Sequence, residues 1–264
     1  MTMQAHSKSV ISCLFSPDSM YACALTPNAA KFWYWEDLSC FRSIQTPNNS
    51  EFTACTFCES NEIFLADKSG QVYLYNVETS ELLNKMEAHA AEIKCINYIE
   101  KDQSSYLVTG AMDSTIKIWA VPLENNTKFE LIKSFEFDEK VIYFSISPDK
   151  RNIIVSLLDN TLKVLDFNKF KIRLNLYGHK LPVLSSDVSS DSKILATGSM
   201  DKDIKFWGLN FGDCHFSRFA HGDGVMCVKF KPNSNICFSA GKDGMIKAWD
   251  STNASFMMQI SGII

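Results

Sequence analysis

Residues 204–207, with the sequence IKFW, decide the fold because they recur along the chain. Close copies stand at 116–119 (IKIW) and at 246–249 (IKAW), each at the end of a short apolar run. Three weaker copies bring the number of repeats to six, and the last residues of successive copies are separated by 40, 44, 46, 42 and 42 residues. A period in this range indicates a tandem array of one small structural unit. With the weaker copies, the repeats end near Trp35, Tyr75, Trp119, Leu165, Trp207 and Trp249.

Each repeat divides into short strands joined by turns. In the last repeat two strands, a tight turn at 241–244 and a third strand ending at Trp249 follow in order, and a fourth strand follows near 255–260. No segment keeps a helical period, and no Pro/Gly/Ser-rich linker interrupts the chain. We therefore predict an all-β fold, a propeller with six four-stranded blades visible, in one domain over residues 1–264.

Three repeats carry the same four side chains at matching offsets. In each, an Asp precedes the Trp by six residues, a Ser or Thr precedes it by ten, and a His stands at the entry of the repeat. His, Asp and a hydroxyl also compose a hydrolase triad, but a catalytic triad would occur once and not at the repeat period. The set resembles the structural tetrad of WD40 blades, so we predict structural networks and no catalytic residue. The sets are His89, Thr109, Asp113 and Trp119; His179, Thr197, Asp201 and Trp207; and His221, Ser239, Asp243 and Trp249.

The other three repeats are incomplete. The first keeps His6 and Trp35, and the fourth keeps Asp159, but each lacks other members of the set. These repeats are expected to depend on packing, or to be free to serve an interface. The departures are Ala29 at the Asp position of the first repeat, Ser69 and Tyr75 at the Asp and Trp positions of the second, and Leu165 at the Trp position of the fourth.

Composition limits the classes of protein to which this chain can belong. The 264 residues are 46% hydrophobic and 21% charged, which is typical of a globular protein. A formal net charge of −4 argues against broad binding of nucleic acid, because such binding depends on neutralising phosphates. Nine cysteines, mostly within apolar runs, and the absence of a signal-peptide pattern predict a cytosolic or nuclear protein. We expect no membrane partner, no small-molecule substrate and no cofactor.

Two further patterns have simpler explanations than a functional site. Cys55 and Cys58 have the spacing of half a metal site, but no second pair follows, and core packing is favoured. Lys169, Lys171 and Arg173 alternate on a predicted strand. They could face RNA, although an ordinary solvated strand face is favoured.

Several segments of the fourth to sixth repeats resemble one particular family. The resemblance is carried by 155–164 (VSLLDNTLKV), 176–184 (LYGHKLPVL) and 207–215 (WGLNFGDCH). They are similar to the second propeller of the tandem-propeller subunit of the small-subunit processome, the family of WD-repeat-containing protein three and U-three small nucleolar RNA-associated protein twelve. The most specific part lies outside the WD40 pattern and is our candidate partner-binding loop: Gly208, Leu209, Asn210, Phe211, Gly212, Asp213, Cys214 and His215.

The resemblance implies a non-enzymatic, nucleolar scaffold that holds other processome subunits in place during processing of the small-subunit rRNA precursor. Contact with pre-rRNA or small nucleolar RNA, indirect or local, is a further possibility. The alternative is a generic WD40 peptide-binding adaptor, such as a ubiquitin-ligase substrate receptor or a signalling scaffold. Two ring sizes also stay open, six blades or seven with one absent from this chain, and we favour the second.

Overall fold

The computed structural model describes residues 9–47, 50–59, 61–122 and 128–261. Over these residues the protein forms 24 β-strands and no α-helix, and no helix is long and apolar enough to span a membrane. The strands form six antiparallel sheets of four strands, with sequential strands adjacent in every sheet. The prediction of an all-β fold with six four-stranded blades is confirmed. The chain divides into two compact units, 1–138 and 139–264.

The first unit contains three sheets, of which the first packs on the second and the second on the third through two apolar cores. The first sheet consists of β1 (Ser12–Phe15), β2 (Tyr21–Leu25), β3 (Ala29–Tyr34) and β4 (Cys40–Gln45). The second consists of β5 (Phe52–Glu59), β6 (Glu62–Asp67), β7 (Gln71–Asn76) and β8 (Leu82–Glu87). The third consists of β9 (Ile93–Lys101), β10 (Ser104–Ala111), β11 (Thr115–Ala120) and β12 (Glu130–Glu136).

The second unit contains the remaining three sheets. The fourth sheet consists of β13 (Val141–Ile146), β14 (Asn152–Leu157), β15 (Leu162–Asp166) and β16 (Lys171–Leu176). The fifth consists of β17 (Val183–Val188), β18 (Ile194–Ser199), β19 (Asp203–Gly208) and β20 (Cys214–Phe219). The sixth consists of β21 (Val225–Phe230), β22 (Ile236–Gly241), β23 (Met245–Asp250) and β24 (Ser255–Ser261).

Burial differs systematically between the strands of a sheet. The second strand of the fourth sheet, β14, is buried at every residue, whereas the fourth strand of the sixth sheet, β24, is exposed at every residue. The middle strands carry most of the buried apolar residues, and burial of apolar surface is the main stabilising term. The outer strands and the turns are therefore the parts of each sheet that can meet a partner.

Side-chain hydrogen bonds tie the sheets of the second unit together. The amide of Val228 donates to Ser185 Oγ at 3.1 Å, and the amide of Phe230 donates to Asp187 Oδ2 at 2.8 Å. The turns between the first and second strands are also linked, since the amide of Asn233 donates to Ser190 Oγ at 2.9 Å. These bonds hold neighbouring turns in a defined arrangement.

The strand register places Trp33, and not Trp35, at the position that Trp207 holds in the fifth sheet. Trp33 pairs with the first residue of β4 after a bulge, as Trp207 pairs with the first residue of β20. Trp33 is buried, and Trp35 is 52% exposed in the following turn. The predicted anchor Trp35 lies two residues too far along the chain, because both Trp33 and Trp35 stand near the end of this apolar strand. The other five predicted anchors all lie within the third strands of their sheets.

Candidate functional site

The tetrad of the fifth sheet is joined by hydrogen bonds into one chain of side chains. The carboxylate of Asp201 lies 2.8 Å from Nδ1 of His179, and Nε2 of His179 lies 2.8 Å from Thr197 Oγ1. The same hydroxyl oxygen accepts the indole N–H of Trp207 at 2.9 Å. A neutral histidine satisfies every group when Nδ1–H donates to the carboxylate and Nε2 accepts the hydroxyl proton.

The third and sixth sheets contain the same arrangement. Each histidine lies between its carboxylate and its hydroxyl, and each tryptophan donates to that hydroxyl. In the third sheet the distances are 3.0 Å for His89–Asp113, 2.7 Å for His89–Thr109 and 3.0 Å for Trp119–Thr109. In the sixth sheet they are 3.0 Å for His221–Asp243, 2.8 Å for His221–Ser239 and 2.9 Å for Trp249–Ser239.

Burial and hydrogen bonding shift the pKa values of Asp201 and His89, two members of these networks. Burial alone would raise the pKa of the Asp201 carboxyl, but hydrogen bonds from His179 and from the Lys180 amide outweigh it and leave this pKa well below its ordinary value. Burial lowers the pKa of His89 despite the nearby carboxylate, so the imidazole stays neutral. Thr109 and Thr197 are completely buried, so their hydroxyls have no route to a substrate. This geometry supports a structural role for the tetrads.

The second sheet has a polar network that the sequence pattern missed. Asp67, two residues before the expected position, is completely buried and accepts the Tyr73 hydroxyl at 3.1 Å. It also accepts the hydroxyl of Ser69 and the amide of Gln71. Burial, together with this carboxylate, raises the pKa of Tyr73 far above its ordinary value. The sequence signal was an acidic residue at the end of an apolar strand. His6, expected in the first repeat, lies outside the described residues.

The predicted partner-binding loop is a tight turn between β19 and β20. The amide of Gly212 donates to the Gly208 carbonyl at 2.8 Å, and the amide of Gly208 donates to the Asp213 carbonyl at 2.9 Å. Leu209 is buried in the apolar core of this unit. Its amide donates to the Lys193 carbonyl at 2.8 Å, and its carbonyl accepts from Arg173 Nη2 at 2.7 Å. The turn is therefore anchored on both sides.

Gly208 makes room for a contact between two side chains of the loop. His215 Nε2 lies 2.8 Å from Asp213 Oδ2, and both side chains lie over Gly208. A Cβ at Gly208 would stand 2.7 Å from His215 Nε2, closer than real Cβ contacts allow. In the sixth sheet the same position holds Asp250, which accepts the amide and hydroxyl of Thr252. In the fifth sheet a glycine therefore stands where the sixth sheet has the Asp250 carboxylate, and the contact between His215 and Asp213 lies over that glycine.

Phe211 at the tip of this turn is 86% exposed, more than any other large hydrophobic residue described. The turns of five sheets share one residue with positive φ: Leu38, Ser80, Phe170, Gly212 and Ala254. The residue before it is Asp37, Thr79, Lys169 or Asn253 in the other turns, which are all polar. An aromatic side chain held in solvent by a rigid turn is a typical anchor for a protein partner.

Within the described ranges no group of three His, Cys, Asp or Glu side chains could hold a metal ion. Cys55 and Cys58 are both buried in the apolar cores of the first unit. The hydroxyls of Thr109 and Thr197 and the side chains of Cys55 and Cys58 are thus enclosed, and the loop from Gly208 to His215 is the most prominent candidate for contact with another molecule.

Six four-stranded sheets, three of them with the His–Ser/Thr–Asp–Trp network, define a WD-repeat β-propeller protein. Proteins of this class typically act as non-enzymatic scaffolds. The chain belongs to the family described as the WDR3 second β-propeller domain, whose model matches residues 9–264.

Two curated relatives support this assignment. The chain is 35% identical over 192 residues to WD repeat-containing protein 3 of Homo sapiens, which covers 69% of the chain and 20% of that protein. It is 37% identical over 199 residues to U3 small nucleolar RNA-associated protein 12 of Saccharomyces cerevisiae, which covers 70% of the chain and 21% of that protein. The chain thus spans about a fifth of the length of these relatives.

Proposed function

We propose that this chain is a non-enzymatic scaffold in small-subunit ribosome biogenesis. It holds partner proteins of the small-subunit processome in place during rRNA processing, and it acts in the nucleolus. Support comes from the family assignment and from a relative whose name associates it with U3 small nucleolar RNA. In this proposal the partners are proteins, with pre-rRNA or small nucleolar RNA contacted indirectly or at a local patch.

The observation that carries the proposal is the turn that exposes Phe211. Hydrogen bonds from Leu209 to the Lys193 carbonyl and from Arg173 to Leu209 hold the backbone of the turn, so the backbone that carries Phe211 needs no further ordering. Preorganisation of this kind lowers the entropic cost of association. A scaffold needs such rigid, exposed contacts, whereas an enzyme needs accessible reactive groups.

The test is affinity purification of the tagged chain from growing cells, followed by mass spectrometry and RNA sequencing of the eluate. We expect processome proteins, pre-rRNA and the U3 RNA. Phe211→Ala should deplete at least one protein partner, and Asn253→Ala, at the matching position of the sixth sheet, should leave the eluate unchanged. Recovery of a ubiquitin-ligase or signalling complex without ribosome-assembly factors would refute the proposal.

A second candidate function, peptide binding by an adaptor, is favoured by the opposite end of the same sheets. There Leu158, Leu181, Met200 and Met226 are 43–50% exposed, on turns and bulges that lie away from the Phe211 turn. Exposed apolar side chains of this kind can receive a peptide. If this function dominates, Met200→Lys will remove the main partners and Phe211→Ala will remove none.

A further inference from the structure

The outer strand of the sixth sheet differs from the other five outer strands. β24 contains no charged residue, whereas each of the others contains at least one Lys, Arg or Glu. All seven residues of β24 are exposed, and its four large apolar side chains are 45–54% exposed. These side chains are Phe256, Met257, Met258 and Ile260. β24 is therefore an apolar strand that remains in water.

β24 also forms the open edge of its sheet. Among the described residues it pairs only with β23, so the backbone groups on its other side have no strand partner there. Proteins usually protect such an edge with charged side chains, a proline or a bulge, because an open edge accepts a further strand. The bulge at Met257 does not distinguish β24, since the matching bulge occurs in all six outer strands. Charge protects the other five edges, and β24 lacks it.

The strand register shows which position of β24 lacks a charge that another sheet has. Met258 stands opposite the residue that precedes Trp249, and Lys133 of β12 stands opposite the residue that precedes Trp119. A lysine at this position disfavours strand pairing, because its ammonium group must stay hydrated. The sixth sheet has an apolar methionine there, so its edge carries no such barrier.

The register also defines what a fifth strand would meet. Ile246 pairs with Ile260 and Ala248 pairs with Met258, and both pairs lie on the same face of the sheet. Gln259 lies between them in sequence and belongs to the opposite face. Cross-strand neighbours stabilise a sheet when their side chains are compatible. A strand beside β24 therefore needs apolar side chains next to Met258 and Ile260 and a polar one next to Gln259.

We infer that β24 receives an extended segment of a partner protein as a fifth strand of the sixth sheet. The segment alternates apolar and polar residues and carries no charge opposite β24. Main-chain hydrogen bonds to the edge of β24 supply the affinity, and the side chains next to Met258 and Ile260 supply the specificity, as in other cases of strand addition. The inference goes beyond the proposed scaffold function, because it names a second docking site and the conformation of its occupant.

The length of the edge favours a partner segment over a second copy of the chain. The seven residues of β24 extend over about 23 Å. Two copies that meet only along such edges bury far less surface than the roughly 1,200–2,000 Å² of a stable interface. An extended segment needs no second folded surface and can follow the edge over its whole length.

The first experiment introduces the photo-crosslinker p-benzoylphenylalanine at Gln259 in the tagged chain in growing cells. The control places it at Asn175, the matching position of β16. Mass spectrometry then maps the captured segments, and we expect position 259, but not 175, to capture one segment of another protein with the alternating pattern. Capture should fall at least about tenfold in Met258→Lys, because a lysine between paired strands must be desolvated. Leu82→Lys adds the same charge to the exposed face of β8 and should not change capture.

A second measurement distinguishes strand addition from docking of side chains. The purified, unsubstituted chain is mixed with a synthetic peptide copied from the captured segment, and amide hydrogen exchange is followed by mass spectrometry. We expect the peptide to slow exchange within Met258–Ser261 at least about tenfold, since paired amides are protected, and to leave β16 unchanged.

Four results would overturn the inference. They are no capture from position 259, equal capture from positions 259 and 175, capture of a second copy of this chain, and peptide binding without slower exchange in β24. Met258→Lys should unfold at the same urea concentration as the unsubstituted chain, because it gives β24 the lysine that β12 carries at the matching position. The exchange measurement does not depend on that variant.

Discussion

The fifth and sixth sheets have the same internal network and closely similar turns, but they present different chemistry to solvent. In both turns the second residue is buried, Leu209 in one and Ser251 in the other. Its amide donates to a carbonyl in the turn between the first and second strands of the same sheet. In both, one residue has positive φ, Gly212 or Ala254. The exposed tip is Phe211 in the fifth sheet and Asn253 in the sixth.

This difference shows how the fold separates stability from contact. The buried residue, the positive φ and the backbone hydrogen bonds maintain the turn, while Phe211 at the tip contributes little to folding because it remains in water. A partner-binding residue can therefore replace a polar one at the tip without a large loss of stability. The comparison between the two sheets can be tested at each of these levels.

The largest effect is expected from the networks that the two sheets share. Thr197→Val and Ser239→Ala each leave a buried histidine nitrogen and an indole N–H without a partner, which costs about 2–4 kcal/mol of unfolding free energy. Urea denaturation of each variant measures the loss. Thr252→Val, which removes an exposed hydroxyl, is the control and should change stability by less than about 0.5 kcal/mol. Similar values for all three variants would contradict the assigned networks.

A smaller effect is expected on acidification. In the unfolded chain Asp201 binds a proton near its ordinary pKa of about 3.9, whereas the native carboxylate stays ionised because its pKa is lowered. The resulting stability is present above that pH and is lost as the pH falls toward the native pKa, by about 1–2 kcal/mol between pH 5 and pH 3. Asp201→Asn should be less stable at pH 7 and should show a flatter pH profile. An unchanged profile would exclude the lowered pKa.

The turn backbones should differ in their tolerance of side chains. Gly212→Ala places a Cβ at a φ of +81° and against Leu176, and we expect a loss of about 1–2 kcal/mol. The reciprocal change Ala254→Gly should cost less than about 1 kcal/mol, because a glycine adopts positive φ without strain. Thermal unfolding measures both changes. Equal losses would mean that the two turns are equally constrained.

The smallest effect on stability is expected at the tips. Phe211→Ala should change the unfolding free energy by less than about 0.5 kcal/mol, because its side chain lies in solvent. Asn253→Ala should cost up to about 1 kcal/mol, because Asn253 Oδ1 accepts the amide of Ser255 at 2.8 Å. Only Phe211→Ala should weaken recovery of protein partners from cells. If Phe211→Ala destabilised the chain by more than about 1 kcal/mol, its side chain would serve packing, and the loss of partners would have a structural cause.

The sequence by itself determined the repeat, the strand order within each sheet and the residues that form the three networks. These features follow from local patterns, since alternation, turn residues and fixed offsets within about 40 residues are visible in a single chain. The resemblance to a known family, and not these patterns, singled out the loop from Gly208 to His215. The sequence could not show that the tip of this loop is the exposed Phe211 while Leu209 is buried.

Only the tertiary structure decided the remaining features, because they depend on strand register and on packing between sheets. In the first sheet the register places Trp33 at the position that Trp207 holds in the fifth sheet, whereas the spacing of the repeats does not decide between Trp33 and Trp35. The buried Asp67 acquires its partners only when β6 and β7 pair. Arg173 and Leu209 meet because neighbouring sheets pack, and no local pattern links residues on different sheets, so the position of the Phe211 turn against β16 is decided only in the folded chain.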